Sequence, residues 1–168
     1  MAHRTVVSTV IFGSLFLAAC GSGGDPASPD AAPGGWAIRD VPGAGSVLAG
    51  VDGRTVYTSE QESGGKVACT NSCLDIWRPV IAETPPAAPA GLPGKLGVLT
   101  RPDGGGSQVT YDEMPLYTFK FDEAPGEAKG DNLADEFAEG FFTWHAVTAQ
   151  GQPGGAPAKP TADGGYGY

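Results

Sequence analysis

The side chains with most capacity for chemistry in this chain are few: three cysteines, two histidines and a scatter of acids. Cys69 and Cys73 stand four apart in KVACTNSCLDIW, and His145 lies far downstream in FFTWHAV. Two thiols at i and i+4 of one helical turn are neighbours about 6 Å apart, within disulfide reach. The pair therefore supports a structural bridge closing a very short loop, with a chain-entropy gain of about 2 kcal/mol at most. The alternatives are a redox or soft-metal pair with His145 as a further ligand, or two free thiols. Seven acids from Asp122 to Glu139 (Asp122, Glu123, Glu127, Asp131, Asp135, Glu136, Glu139) crowd one region. Paired carboxylates can do acid–base work, but crowding alone describes a solvated face. The nucleophile, zinc-protease and phosphate-loop motifs GxSxG, HExxH and GxxxxGK(S/T) are absent, as is the regular acid spacing of a calcium loop.

C-x3-C with a distant histidine is similar to the copper site of the Sco-type copper chaperones, which implies copper as the alternative cofactor. Those proteins have a thioredoxin fold, and no strand–helix–strand pattern surrounds Cys69 and Cys73.

Cys20 belongs to different chemistry. It follows Arg4, a twelve-residue apolar stretch from Val6 to Leu17, and the small pair Ala18–Ala19. That stretch is too short for a bilayer core of about 30 Å, which needs about 20 residues, and fits the h-region of a signal peptide over 1–19. Leu17-Ala18-Ala19-Cys20 resembles a bacterial lipobox. The resemblance implies cleavage before Cys20, a diacylglyceryl group on its sulfur and often an acylated amine. Two or more acyl chains anchor stably where one does not. Residues 20–35, nearly all small residues, Pro and Asp, then form a flexible linker with a reach of roughly 20–24 Å. The predicted location is the cell membrane, lipid-anchored on its extracytoplasmic side.

Composition limits the partners. Ten Lys plus Arg face 19 Asp plus Glu, for a formal net charge of −9. No basic patch with interleaved aromatics exists, which excludes nucleic acid as a partner. The 27 glycines and 15 prolines cluster in the linker, in ETPPAAPAGLPG at 83–94, and in a tail over 150–168 predicted to be disordered, leaving 36–149 to build a core.

That core is repetitive. Val51-Asp-Gly-Arg-Thr-Val-Tyr-Thr58 aligns with Tyr111-Asp-Glu-Met-Pro-Leu-Tyr-Thr118 at an offset of 60, and each copy is followed by W-x-x-V, at Trp77–Val80 and Trp144–Val147. In each, a β-prone piece (Ser46–Ala49 or Gln108–Tyr111) leads through a turn at Asp52-Gly53 or Asp112-Glu113 into a second β-prone piece (Thr55–Thr58 or Leu116–Phe121). Alternation puts Tyr117, Phe119 and Phe121 on one strand face. Two segments read as helical: Cys69–Trp77, and Asp131–Phe142, where Leu133, Phe137 and Phe141 recur at i, i+4, i+8. The predicted fold is mainly β: two tandem hairpin-type repeats (about 46–80 and 97–148) sharing one small core around Tyr57, Trp77, Tyr117, Phe119 and Trp144, with one or two short helices.

Tyr117-Thr-Phe119-Lys-Phe-Asp122 fits Yx(FWY)xxD. With Cys69, Cys73 and Trp77 as C-x3-C-x3-W, and with Trp144 ahead of an apolar strand, the region from Ser46 to Val147 resembles the bacterial lipoproteins described as a secreted repeat of unknown function. The resemblance implies a tandem pair of repeats and a lipoprotein; it brings no established activity. Copy one departs from the motif, reading Tyr57-Thr-Ser59-Glu-Gln-Glu62. Tyr117 and Phe119 are either core or the lining of a groove for an apolar or quinone-like ligand with Asp122 as its polar handle. The functional expectation is a non-enzymatic envelope module that binds an unidentified envelope protein or small ligand. The alternative is redox or copper handling by the C-x3-C pair.

Overall fold

The structure, a computed structural model, describes residues 35–150. The predicted leader, Cys20, most of the linker and all but the first residue of the predicted tail lie outside the described residues. Ten strands order the described chain: β1 (Ala37–Val41), β2 (Gly45–Ala49), β3 (Tyr57–Ser59), β4 (Trp77–Pro79), β5 (Leu96–Thr100), β6 (Ser107–Tyr111), β7 (Met114–Pro115), β8 (Tyr117–Phe119), β9 (Leu133–Phe137) and β10 (Gly140–Ala146). Two 3-10 turns, Glu60–Glu62 and Asn71–Asp75, supply the helical content. All pairings are antiparallel: a β1–β2 hairpin, a β5-β6-β7 sheet and a central sheet in the order β4-β8-β3-β10-β9. The fold is mainly β, built from two hairpin-type repeats.

The turns form where the residue types demand them. Asp112 and Glu113 both hold positive φ, 45° and 69°, in the two-residue loop that pairs Tyr111 with Met114, the left-handed pair typical of such a connection. In copy one Gly53 takes φ 76° in the corresponding turn, where glycine bears no Cβ penalty.

The closing strands are exchanged between the repeats. β4, the W-x-x-V strand of copy one, lies on β8 of copy two, with Trp77 opposite Phe119 and Pro79 opposite Tyr117. β10, the W-x-x-V strand of copy two, lies on β3 of copy one, with Trp144 opposite Ser59 and Ala146 opposite Tyr57. β3 and β8 meet at the pair Tyr57–Tyr117, the centre of a pseudo-two-fold arrangement. Two cyclic sets of main-chain hydrogen bonds repeat the exchange. Leu48 N–H donates to Val147 C=O (2.7 Å), Val147 to Val56 (3.0 Å) and Val56 to Leu48 (3.1 Å). Val109 donates to Val80 (2.8 Å), Val80 to Leu116 (2.9 Å) and Leu116 to Val109 (2.8 Å). In each ring, two residues come from one repeat and the third from the other.

Two apolar clusters result. One gathers Tyr57, Trp77, Tyr117, Phe119, Phe142 and Trp144 with the cysteines. The other gathers Trp36, Leu48, Val56, Val109, Leu116 and Val147. Trp77 and Trp144 stack at 3.9 Å between centroids with a 12° interplanar angle. Tyr57 meets Trp77 edge-on at 5.4 Å and Tyr117 meets Trp144 edge-on at 5.2 Å, geometries that add to simple area burial.

Two expectations change. The segment 131–142 is not a helix but β9, a two-residue turn and the start of β10. A spacing of four suits both periodicities, because Leu133 and Phe137 also share one face of a strand. Phe141 then falls across the hairpin, opposite Glu136 and partly exposed. The helix expected over 69–77 shortens to the 3-10 turn Asn71–Asp75.

β4 ends the central sheet. Ile76 C=O accepts from Lys120 N and Val80 N donates to Leu116 C=O, so by alternation Trp77 and Pro79 turn their main chain outward. Pro79 has no N–H to offer there, which blunts an open edge.

Candidate functional site

The tyrosine and the acid of each motif copy sit on opposite sides of the repeat exchange. Tyr57, held inward by the pleat of β3, donates its hydroxyl to Asp122 Oδ2 of copy two at 2.5 Å. Asp122 Oδ1 accepts Lys129 N at 2.9 Å. Tyr117, on β8, donates to Glu62 Oε1 of copy one at 3.0 Å. The same oxygen accepts Ala68 N at 2.6 Å and Cys69 N at 2.7 Å. Glu62 Oε2 is buried without a hydrogen-bond partner. Glu62 thus takes the place of the motif's aspartate in copy one, one methylene longer.

Both acids and both tyrosines have 0 % exposure. Burial raises the pKa of Glu62 and of Asp122, against the lowering effect of the hydrogen bonds each accepts. Burial likewise raises both tyrosine hydroxyls, with the neighbouring carboxylates adding to the effect. The tyrosines therefore remain protonated donors at any physiological pH.

Copy two adds a cation that copy one lacks. Arg101, buried at the end of the β5 strand, donates Nη1 to Gln108 Oε1 at 2.5 Å and Nη2 to Cys69 C=O at 2.9 Å. Nη1 also lies 3.4 Å from the Tyr117 hydroxyl, and Nε and Nη2 fork onto Asp103. Gln108 Nε2 completes the network on Leu116 C=O at 2.8 Å. Asp103 is held below the usual aspartate range, chiefly by its hydrogen bond to Arg101. The sequence gives no site role to Arg101 or Gln108, and marks Glu62 only as copy one's departure from the motif. Glu62 had a signal, the offset of 60 from Asp122; Arg101 and Gln108 had none, because only the fold brings them to Cys69.

Cys69 and Cys73 are bonded to each other with Cα atoms 5.4 Å apart, and both are buried. His145 lies on β10 opposite Thr58. Its Nδ1 faces Asn132 Oδ1 at 3.1 Å and its Nε2 faces Glu60 Oε1 at 2.9 Å. Among the described residues no group of three His, Cys, Asp or Glu is placed to hold a metal ion.

Tyr117, Phe119 and Asp122 lie in the core, fully buried, not on an open groove. Surface recesses occur elsewhere. One of about 440 Å³ is bordered by Ile38, Asp40, Ser46, Ala90, Gly91 and Ala149. Another of about 250 Å³ lies beside Gly64, Gly65, Val98, Leu99, Thr110 and Glu113.

The crowd of acids disperses into separate acceptors. Glu127 Oε2 accepts Glu123 N and Ala124 N and pairs with Lys129 at 3.1 Å. Asp131 Oδ1 accepts Ala146 N at 2.8 Å, Asp135 Oδ2 accepts Trp77 Nε1 at 2.8 Å, and Glu139 Oε2 accepts the Ser72 hydroxyl at 3.0 Å. Each secures a turn, a strand edge or an indole.

Among the described residues no helix is long and apolar enough to cross a membrane. No curated protein and no solved structure matches the chain. Residues 97–148, from β5 through β10, match the family described as a secreted repeat of unknown function. The second repeat of this chain is thus similar to the repeat of that family.

Proposed function

We propose that the chain is a lipid-anchored envelope protein on the outer side of a bacterial membrane, and that the domain at 35–150 is a non-enzymatic binding module. The sequence Leu17-Ala18-Ala19-Cys20 behind a short apolar run supports the anchor. The observation that carries the non-enzymatic reading is the use made of the motif: Tyr57, Tyr117, Glu62 and Asp122 are spent on one another across the repeat boundary, with no exposure left for a substrate. A partner or small ligand then contacts the surface, where the recess between the β1–β2 hairpin and the strap at Ala90–Gly91 offers room. Mass spectrometry of protein purified from its native membrane tests the anchor. A diacylglyceryl adduct on an N-terminal Cys20 supports it; an unmodified new terminus overturns it.

The alternative, redox or copper handling by Cys69 and Cys73 with His145, draws on the bond between the two sulfurs. Against it, both sulfurs are buried, and His145 is engaged by Asn132 and Glu60. Titration of the reduced protein against a competing Cu(I) chelator separates the readings. Uptake lost in the Cys69→Ser, Cys73→Ser variant would favour copper, and uptake no greater than the variant's would end it.

A further inference from the structure

We propose that the exchange of closing strands lets this domain assemble from two chains when the strap cannot close it within one, or when chains refold together at high concentration, the partner being a second copy of the same chain. The pairings that close each repeat come from the other one. β4 lies on β8, β10 lies on β3, each three-membered main-chain ring borrows a residue, and each tyrosine finds its acid across the boundary. The segment 97–148 that matches the family is by the same geometry half of an intertwined pair, because its β10 has its β3 partner outside it.

Within the described residues, the covalent connection between the halves is the Pro-rich strap at 83–94. Its two ends are fixed at opposite ends of β6. Ala82 N donates to Ser107 C=O at 3.0 Å, while Lys95 N donates to Asp112 Oδ1 and Lys95 C=O accepts Asp112 N, both at 2.9 Å. Five residues of β strand separate those points by about 17 Å. The natural strap, reaching about 40 Å when extended, crosses that gap with slack. A reciprocal dimer would make the same interface twice and differ only in the path of the strap, the condition under which domain exchange costs least.

Deleting residues 83–91 leaves Leu92, Pro93 and Gly94 between the anchors, a reach of about 14 Å. Closure within one chain is then barred, while closure between two chains is not. In full-length protein carrying Cys20→Ser, so that lipid does not drive association, light scattering should give twice the chain mass for the deletion. The undeleted protein and a deletion of only 87–90 should remain monomeric. The circular-dichroism couplet of the stacked Trp77–Trp144 pair should persist in the dimer. A folded monomer, or a chain that loses the couplet, would overturn the proposal. A second experiment is independent of strap length. Trp77→Phe and Trp144→Phe chains each lack the stack, but unfolding and refolding them together at high concentration rebuilds it in lobes that draw repeat one from one chain and repeat two from the other. Recovery of up to about a quarter of the native couplet is expected for random pairing; no recovery would overturn the exchange.

Discussion

The Tyr57 hydroxyl reaches Asp122 Oδ2 at 2.5 Å, joining the tyrosine of one repeat to the acid of the other across 65 positions of sequence. The pair Tyr117–Glu62 repeats the arrangement at 3.0 Å. The tyrosine and the acid of each copy therefore work as a latch between repeats. The aromatic members of the motif fill the space that the stacked tryptophans leave.

The two latches differ in what remains when the tyrosine is removed. Glu62 keeps two main-chain donors, from Ala68 and Cys69, while Asp122 keeps one, from Lys129. Tyr57→Phe should cost about 1–3 kcal/mol, the range for stranding a buried polar group, and Tyr117→Phe should cost less. Urea unfolding of the two variants checks the order; the reverse order would mean that Arg101 depends on the Tyr117 hydroxyl more than Glu62 does.

Stability should depend on pH through the buried acids. Glu62 and Asp122 have folded pKa values raised by burial above their ordinary 4.5 and 3.8. Their contribution is fully present below those ordinary values and is lost as pH rises through the raised ones. Asp103, depressed mainly by Arg101, acts oppositely: its contribution is present above 3.8 and is lost as pH falls through the depressed value. Glu62→Gln should therefore flatten the loss of stability as pH rises above the ordinary glutamate value of 4.5, while Asp103→Asn flattens the fall in acid. Melting temperature followed against pH for the three proteins reads both slopes.

The disulfide should prove a minor staple. Its loop is so short that removing it costs about 2 kcal/mol at most. Cys69→Ser with Cys73→Ser should leave a folded domain with the Trp77–Trp144 stack intact, measured by denaturant midpoint and near-ultraviolet circular dichroism.

Gly130 should tolerate no side chain. A Cβ there would sit 2.6 Å from the Trp77 ring and 3.1 Å from the Phe119 ring, neither of which has room to withdraw from a packed core. Gly130→Ala should destabilise by about 1–3 kcal/mol and disturb the tryptophan stack. An alanine variant of native stability would contradict the packing described.

Much of the fold was legible because the repeat is local. The offset of 60, the turns at Asp52-Gly53 and Asp112-Glu113 and the alternation of Tyr117 and Phe119 each declare themselves within a few residues. The exchange of β4 and β10 was not legible, since a strand that pairs within its own repeat and one that pairs with the other read alike in sequence. The helix expected over 131–142 failed because a spacing of four fits both periods, and Gly140, with φ 133°, in fact opens a returning strand. Of the candidate residues, the spacing of Cys69 and Cys73 admitted the observed disulfide but left redox, metal-binding and free-thiol readings open beside it. Tyr117, Phe119 and Asp122 were recognisable as a unit, but their burial depended on β10 and on Tyr57, both remote in the chain.

The most direct test of the latch is a double-mutant cycle on Tyr57→Phe and Asp122→Ala, read as unfolding free energy. A direct buried hydrogen bond to an acid predicts a coupling of about 1 kcal/mol or more, because either single change already breaks the contact. Costs that simply add, within about 0.5 kcal/mol, would contradict the account and return the tyrosine and the acid to independent roles.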